Sequence, residues 1–230
     1  MTRLDLSLED ARVSFAGLAA PVLEIDRLAI TAGEHVCITG ASGSGKSTLV
    51  NIITGLEGLR HGRVLWSDTD LATLSEGRRD RWRAENVGLV MQDFHLFPGL
   101  SALDNVLLPA RLGGQATKAR QARAGDLLQR FGLERPDQAI ETMSRGEMQR
   151  VAVARALLRQ PGVIVADEPT ASLDRQSGSV VADLLLDVAA AEGSTLIVVS
   201  HDPRLIDRLP RRIELASGRI AADRREAVAA

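Results

Sequence analysis

The pattern G-x-x-x-x-G-K-[ST] constrains this chain most, and residues 40–47 match it throughout: Gly-Ala-Ser-Gly-Ser-Gly-Lys-Ser. Residues 35–39 before it predict a buried strand, and residues 48–54 after it predict a helix. In this strand–loop–helix context the pattern binds nucleotide phosphates. Glycines bring backbone N–H groups close to phosphate oxygens, and the helix points its positive end at the same anion. The sequence therefore predicts an α/β fold with a mostly parallel core sheet and a phosphate-binding loop.

The side chains of this loop have separate expected roles. Lys46 should reach the β- and γ-phosphates, and Ser47 should hold Mg²⁺. The loop pattern alone leaves the nucleotide open between ATP and GTP. The residues expected to contact it are Gly40, Ser42, Gly43, Ser44, Gly45, Lys46, Ser47 and Thr48.

A second apolar run, residues 163–166, ends in two carboxylates, Asp167 and Glu168. Continuous apolar character is typical of a parallel strand that is covered on both faces. Open α/β sheets bind ligands at the carboxyl ends of such strands. We expect Asp167 to bind Mg²⁺ and Glu168 to polarise the attacking water as general base. A solvated acidic turn is the alternative, and the phosphate-binding loop upstream favours the catalytic interpretation.

Ser144 and Glu147 predict a capping box at the start of an amphipathic helix that ends before Gln160-Pro161. Gly146 lies in its first turn, where glycine costs about 1 kcal/mol relative to alanine. A closely approaching phosphate would account for this glycine, because helix N-termini bind anions. An ordinary capped helix is the alternative interpretation.

Taken in this order, the motifs resemble those of the ATP-binding subunits of ABC transporters. The resemblance covers the chain from about Leu4 to Ile220. The family signature Leu-Ser-Gly-Gly-Gln corresponds here to Met-Ser-Arg-Gly-Glu at residues 143–147. Arg145 replaces the first signature glycine, and we interpret it as pointing to solvent, as long charged side chains usually do. The resemblance implies a P-loop NTPase fold with an N-terminal antiparallel β-layer and an inserted helical subdomain.

The resemblance also implies that two copies of the chain share their nucleotides. ATP would lie on Lys46 and Ser47 of one copy and under Ser144 and Gly146 of the other. Asp174, in Ala171-Ser-Leu-Asp174, resembles the D-loop aspartate that faces the second subunit. The implied partner is therefore a second ATP-binding subunit, with a homodimer expected and a heterodimer left open.

Three single residues take roles from the resemblance alone. Gln92 resembles the Q-loop glutamine, which senses Mg²⁺ and the transmembrane partner. His201, after the apolar run 196–200, resembles the switch histidine that contacts the γ-phosphate. Phe15 stands where the family places an aromatic residue on the adenine, and burial in the core is the alternative.

The same resemblance predicts the domain organisation. Residues 1–90 and 161–220 would form the core with its β-layer, residues 91–160 the helical subdomain, and residues 221–230 a tail. The β-layer is supported by alternating apolar residues, which predict half-buried strands: Leu4, Leu6 and Leu8, then Leu23, Ile25, Leu28 and Ile30.

The expected function is that of an ATP-hydrolysing motor subunit that drives a separate transmembrane permease. Residues 78–106 resemble those of the lipoprotein-releasing (LolD) and macrolide-export (MacB) ATPases, which favours an exporter. Phe94, Leu96, Phe97 and Leu100 either form part of the permease-docking groove or pack internally. The alternatives are an ATP-gated regulator of a membrane or cell-wall complex, a soluble chromosome or translation ATPase, and a small-molecule kinase.

Composition narrows the class further. The 28 basic and 30 acidic residues give a net charge of −2, which offers no reason to propose a nucleic acid partner. Cys37 is the single cysteine of the sequence, so a disulfide or a cysteine-based metal site within one chain is excluded. No apolar run approaches about 18 residues, the length of a membrane span. The resemblance implies a peripheral protein on the cytoplasmic face of the membrane, with ATP and Mg²⁺ as its cofactors.

Overall fold

The computed structural model describes residues 4–225 of the 230-residue chain. Its strands are β1 (Leu6–Val13), β2 (Leu23–Ile30), β3 (His35–Thr39), β4 (His61–Trp66), β5 (Thr69–Asp70), β6 (Val87–Val90), β7 (Val163–Asp167), β8 (Thr195–Val199), β9 (Arg211–Ala216) and β10 (Arg219–Arg225). Its α-helices are α1 (Lys46–Ile53), α2 (Glu76–Asn86), α3 (Ala102–Leu112), α4 (Lys118–Arg130), α5 (Arg145–Leu157), α6 (Arg175–Glu192) and α7 (Pro203–Ile206).

The core sheet has the strand order β10-β9-β3-β8-β7-β6. Every neighbouring pair is parallel except β9 and β10, which are antiparallel. Val163 and Val165 of β7 pack with the β-layer and α1, whereas Ile164 and Ala166 pack with the helices on the other face. Both faces are therefore buried, which accounts for the continuous apolar run in this strand. The predicted mostly parallel core sheet is confirmed.

The N-terminal β-layer is a separate antiparallel sheet of order β2-β1-β4-β5. Leu6 and Leu8 of β1 are buried, and Ser7 between them is partly exposed. Trp66 of β4 is buried, and its indole N–H donates to the carbonyl of Ile53 at 2.6 Å. That bond holds the β-layer against the end of α1. The predicted β-layer is confirmed.

Helices α3, α4 and α5 form the inserted helical region between β6 and β7. Helix α5 was expected to be amphipathic, and this expectation is wrong. Its residues 151–154 are consecutively buried, and so are Gly146, Gln149 and Leu157. The reason is its position, because α3, α4, α6 and β6 all contact α5. Even the polar Gln149 is enclosed, and its Nε2 donates to the carbonyl of Pro169 at 2.8 Å.

The hairpin of β9 and β10 extends into the predicted tail. Residues 221–225, which were assigned to a tail, belong to β10, and residues 222–225 pair with β9, so that prediction is wrong for this part. The buried Arg211 holds the hairpin in place through ion pairs with Asp223 at 2.7 Å and Glu34 at 3.0 Å. The rest of the predicted tail, residues 226–230, lies outside the described residues.

Helix α6 is the longest described helix, with 18 residues. Val181, Leu185 and Val188 are buried along one face, which packs into the core. Its other face is polar enough that α6 does not qualify as a membrane span, and neither does any other helix within residues 4–225.

Candidate active site

The phosphate-binding loop joins β3 to α1, which begins at Lys46. Gly40 has φ of 151°, and a Cβ there would overlap the carbonyl oxygen of Leu215, so only glycine fits. The ammonium of Lys46 donates to the carbonyls of Gly40 at 2.7 Å and Ala41 at 2.9 Å. Gly45 precedes the helix and supplies no side-chain cap. The first N–H groups of α1 therefore face the loop, as an anion site requires.

The two carboxylates lie where the sequence places them, at the carboxyl end of β7. Burial raises the pKa of Asp167 above its ordinary value, the charge of Glu168 acts in the same direction, and Lys46 opposes both. Glu168 follows with φ of 47°, an uncommon conformation for a side chain of this size. Its N–H donates to the carbonyl of Val199 at 2.8 Å, and its Oε1 lies 2.8 Å from Nδ1 of His201. The backbone of Glu168 is thus held by the end of β8, and its carboxylate is held by His201.

The loop and the carboxylates surround one cavity of about 590 Å³. Gln92 and His201, which are far from the loop in sequence, also face it. A cation, hydroxyl groups, carboxylates and an imidazole of one chain therefore face the same cavity. Its lining residues are Val22, Gly40, Ala41, Ser42, Gly43, Gly45, Lys46, Ser47, Thr48, Gln92, Asp167, Glu168, Ala171 and His201.

Four predicted nucleotide contacts lie away from this cavity, and so does Phe15. Ser44 is a buried residue of the loop, and its carbonyl accepts a bond from the N–H of Gly218 at 3.0 Å. Phe15 is 43% exposed, so the alternative that it packs in the core is wrong, and adenine stacking stays a prediction. The remaining three are Ser144, Gly146 and Asp174. Sequence reasoning missed Val22, which lines the cavity without belonging to any motif.

The predicted capping box at the start of α5 is confirmed. The backbone N–H of Ser144 donates to Oε2 of Glu147 at 2.8 Å, and the N–H of Glu147 donates to Oγ of Ser144 at 3.3 Å. Gly146 is buried, and a Cβ there would lie 2.8 Å from Oγ of Ser177 on α6. Packing within the chain therefore accounts for this glycine, and a phosphate is not needed to explain it.

Arg145 is exposed to solvent, as interpreted from the sequence. Its guanidinium carbon also lies 5.4 Å from the centre of the Phe94 ring, a contact that the sequence did not predict. This distance is typical of a cation–π contact. Arg155, further along α5, donates to the carbonyls of Phe94 at 2.7 Å and His95 at 2.6 Å. The segment after Gln92 is therefore attached to the signature helix at two points.

Asp174 is exposed and caps α6, the helix it precedes. Its carboxylate accepts from the N–H groups of Gln176 at 2.9 Å and Ser177 at 3.0 Å. Bonds from Ser177 and the neighbouring backbone lower the pKa of Asp174 below its ordinary value. The carboxylate therefore has a fixed direction at the chain surface, outside the cavity of its own chain.

Asp202, next to His201, has the most shifted carboxylate near the site. Hydrogen bonding from the Arg204 side chain, with help from Thr170, lowers the pKa of Asp202 to about 2. Oγ1 of Thr170 donates to Asp202 at 2.7 Å, and Thr170 is itself buried. The segment after β8 is thus fixed to the segment after Glu168.

The shifted pKa of Asp202 predicts a pH-dependent contribution to stability. Because its pKa falls from 3.8 to about 2 on folding, the contribution is complete above pH ~4 and is lost as the pH falls towards 2. At pH 7, Asp202→Asn should lower the free energy of unfolding by about 2 kcal/mol. Urea unfolding of wild type and variant at several pH values checks this. Asp207→Asn, at an exposed aspartate of the same segment, is the control. A difference that persists unchanged at pH 2.5 would contradict the assignment.

Known proteins with similar sequences belong to the family that the motifs of this site resemble. A family model described as ABC transporter matches residues 23–171. The chain is 44% identical over 210 residues to the macrolide export ATP-binding/permease protein MacB 1/2 of Paracoccus denitrificans, covering 91% of this chain and 31% of that protein. It thus spans about a third of the length of such relatives. It is 41% identical to the lipoprotein-releasing system ATP-binding protein LolD of Shewanella sp. (strain MR-7), with 86% of each covered.

Solved structures extend the likeness to the fold. The chain superposes on the ATP-binding cassette MJ0796, in a dimeric post-hydrolysis state bound to ADP and Pi, with a TM-score of 0.87 and 32% identity. The superposition covers 96% of this chain and 99% of MJ0796. The nucleotide-binding fold predicted from the loop and the apolar strands is therefore confirmed.

Proposed function

This chain belongs to the ABC transporter family, and we propose that it is the ATP-hydrolysing motor subunit of a transporter whose permease is a separate polypeptide. The observation that carries the proposal is the cavity in which Lys46, Glu168 and His201 come together. The likeness to LolD over 86% of both chains supports a release or export system. The proposed location is the cytoplasmic face of the membrane, where such a subunit would meet its permease.

The side chains in the cavity divide the work of hydrolysis between them. Lys46 and the loop N–H groups bind the phosphates of ATP, and Glu168 accepts the proton of the attacking water. His201 holds Glu168 through the 2.8 Å contact and faces the same cavity. Phosphoryl transfer requires mainly positioning and charge stabilisation, and the arrangement supplies both.

The proposed Mg²⁺ site fits the residues present. Ser47, Gln92 and Asp167 all line the cavity and carry oxygen atoms, the ligands that Mg²⁺ prefers. Burial raises the pKa of Asp167, and a cation beside it would offset that effect. When bound, Mg²⁺ would neutralise charge on the β- and γ-phosphates.

A second copy of the chain completes the proposed site. Ser144, Gly146 and Asp174 do not line the cavity of their own chain. We assign them to the nucleotide of the opposite subunit, in a homodimer. The dimeric state of the MJ0796 cassette supports this arrangement. ATP binding then stabilises the closed dimer, and hydrolysis lets it open. The energy for this movement comes from the difference in affinity of ATP for the closed and open states.

The proposed permease contact is a groove of about 650 Å³ between the core and the helical region. It is lined by parts of α2, β6, α3 and α5, and Leu112 at its rim is 79% exposed. Phe97 is 52% exposed, whereas Leu96 packs against the core. None of the residues suggested for docking lines this groove, and among them the exposed Phe97 is better placed to contact a partner than Leu96.

Hydrolysis by the purified chain tests the proposal. With MgATP and no other acceptor, it should release inorganic phosphate, and EDTA should reduce the rate to background because Mg²⁺ is removed. Phosphate transfer that occurs only after a small-molecule hydroxyl is added would instead identify a kinase. Substrate movement in vesicles that contain the permease separates a motor from an ATP-gated regulator.

A further inference from the structure

The first turn of α6 is held from two sides. On one side, Ser177 packs against Gly146 of the signature helix at a distance that excludes a Cβ. On the other side, the guanidinium of Arg204 lies against Gly178, where a Cβ would be 2.5 Å from Nη1. Asp174, the proposed contact to the second subunit, immediately precedes this turn. The turn therefore connects the signature helix with the segment after the switch histidine.

Arg204 makes its bonds to both neighbouring segments. Its Nε lies 2.9 Å from each carboxylate oxygen of Asp202, and its Nη2 lies 2.6 Å from Oδ2. Its Nη1 donates to the carbonyl of Arg175, the first residue of α6, at 2.7 Å. A guanidinium carries its donors in a rigid planar fork that spans both partners, whereas the donors of an ammonium all radiate from one nitrogen.

Asp202 continues the connection to the catalytic carboxylate. Its N–H donates to Oγ of Ser200 at 3.0 Å, and that hydroxyl donates to Oε2 of Glu168 at 3.5 Å. Thr170, two residues after Glu168, donates to the carboxylate of Asp202. A continuous set of hydrogen bonds therefore runs from Glu168 to the start of α6.

We propose that Arg204 is a positioning residue that fixes the Asp174 turn of one subunit relative to that subunit's own Glu168 and His201. The inference rests on the proposed function, because Asp174 is taken to face the second nucleotide site. It goes further, since Arg204 lies outside every motif that identifies the family. A shift of the segment around His201 would therefore move Asp174, which the chain presents to its partner.

Arg204→Met removes the guanidinium but leaves Asp202 bonded to Thr170 and to the backbone N–H of residue 204. We expect kcat for ATP to fall about tenfold and KM to stay within about twofold, because a misplaced group affects turnover more than binding. Arg204→Lys should give an intermediate kcat, since lysine keeps the positive charge but lacks the planar fork of donors. Steady-state phosphate release by the purified chain measures both constants.

Arg208→Met is the matched control. Arg208 also connects the α7 segment to α6, through Asp183 at 2.6 Å, but far from the Asp174 turn. Its kcat should equal that of the wild type. Amide hydrogen exchange gives a second readout, because the N–H groups of residues 176–178, which bond to Asp174, should exchange about tenfold faster in Arg204→Met and at the wild-type rate in Arg208→Met.

Gly178→Ala tests the same contact without removing a charge. Alanine is a better helix former than glycine, so the helix itself is not weakened. The added Cβ should displace the guanidinium and lower kcat, as expected for Arg204→Met. This variant therefore tests the contact even if Arg204→Met fails to fold. Wild-type kcat in Gly178→Ala, or equal kcat in the Arg204 and Arg208 variants, would overturn the inference and leave the proposed function standing. Absence of turnover in the wild type would overturn both.

Discussion

Glu168→Gln should retain ATP binding and lower turnover by about 10²-fold or more, because an amide cannot accept the proton of the attacking water. The substitution is nearly isosteric. The amide can still contact Nδ1 of His201, which lies 2.8 Å from Oε1 in the wild type. The backbone at φ 47° is equally accessible to both residues, so the change should not affect the fold.

The loss of hydrolysis has a second expected consequence, a trapped dimer. With ATP bound and its cleavage blocked, the closed dimer cannot dissociate. The variant should therefore elute as a dimer with ATP and as a monomer with ADP. Size-exclusion chromatography with light scattering and phosphate release measure the two effects. Glu76→Gln, the same chemical change at an exposed position of α2, is the control and should behave as wild type.

Two outcomes would contradict the assignment. Normal turnover in Glu168→Gln would remove this carboxylate from the mechanism. A variant that stays monomeric at saturating ATP, also in the presence of its permease, would remove the shared nucleotide site. The first outcome concerns one residue, whereas the second concerns the whole proposed arrangement.

The parts of the fold that sequence predicts are those with local causes. Residues 163–166 are apolar throughout because the strand has two buried faces, and that pattern is readable without a structure. The conformation of the phosphate-binding loop depends on its glycines, which the sequence shows directly. The capping box at Ser144 and Glu147 involves residues three apart. In each case the residues that interact are close in sequence.

The parts that sequence could not predict depend on distant contacts. Gly146 is explained by Ser177, 31 positions later, and nothing in the local sequence indicates that neighbour. Arg145 lies over Phe94, which is 51 positions earlier, although an exposed arginine in a first helical turn usually points to solvent. Val22 lines the cavity because the β-layer folds back over the loop. Such contacts are set by tertiary packing and carry no periodic signal.

Lys46→Ala should abolish measurable nucleotide binding. Lys46 is the cation at the start of α1, and removing one partner of a buried charge contact costs about 2–5 kcal/mol or more. Its ammonium also donates to the carbonyls of Gly40 and Ala41, so alanine would remove these two bonds within the loop. The affinity for ATP should therefore fall by at least about 30-fold. Isothermal titration calorimetry measures it directly.

The sequence offers a matched control, because its only other lysine is Lys118. That residue begins α4 in the helical region, away from the cavity. Lys118→Ala should bind ATP as the wild type does, which separates the local role of Lys46 from a general effect of one lost charge. Circular dichroism of Lys46→Ala should show an unchanged helix content, because the side chain supports the loop and not the core. Wild-type affinity in Lys46→Ala would contradict the phosphate-binding assignment, on which the roles of Glu168 and His201 also depend.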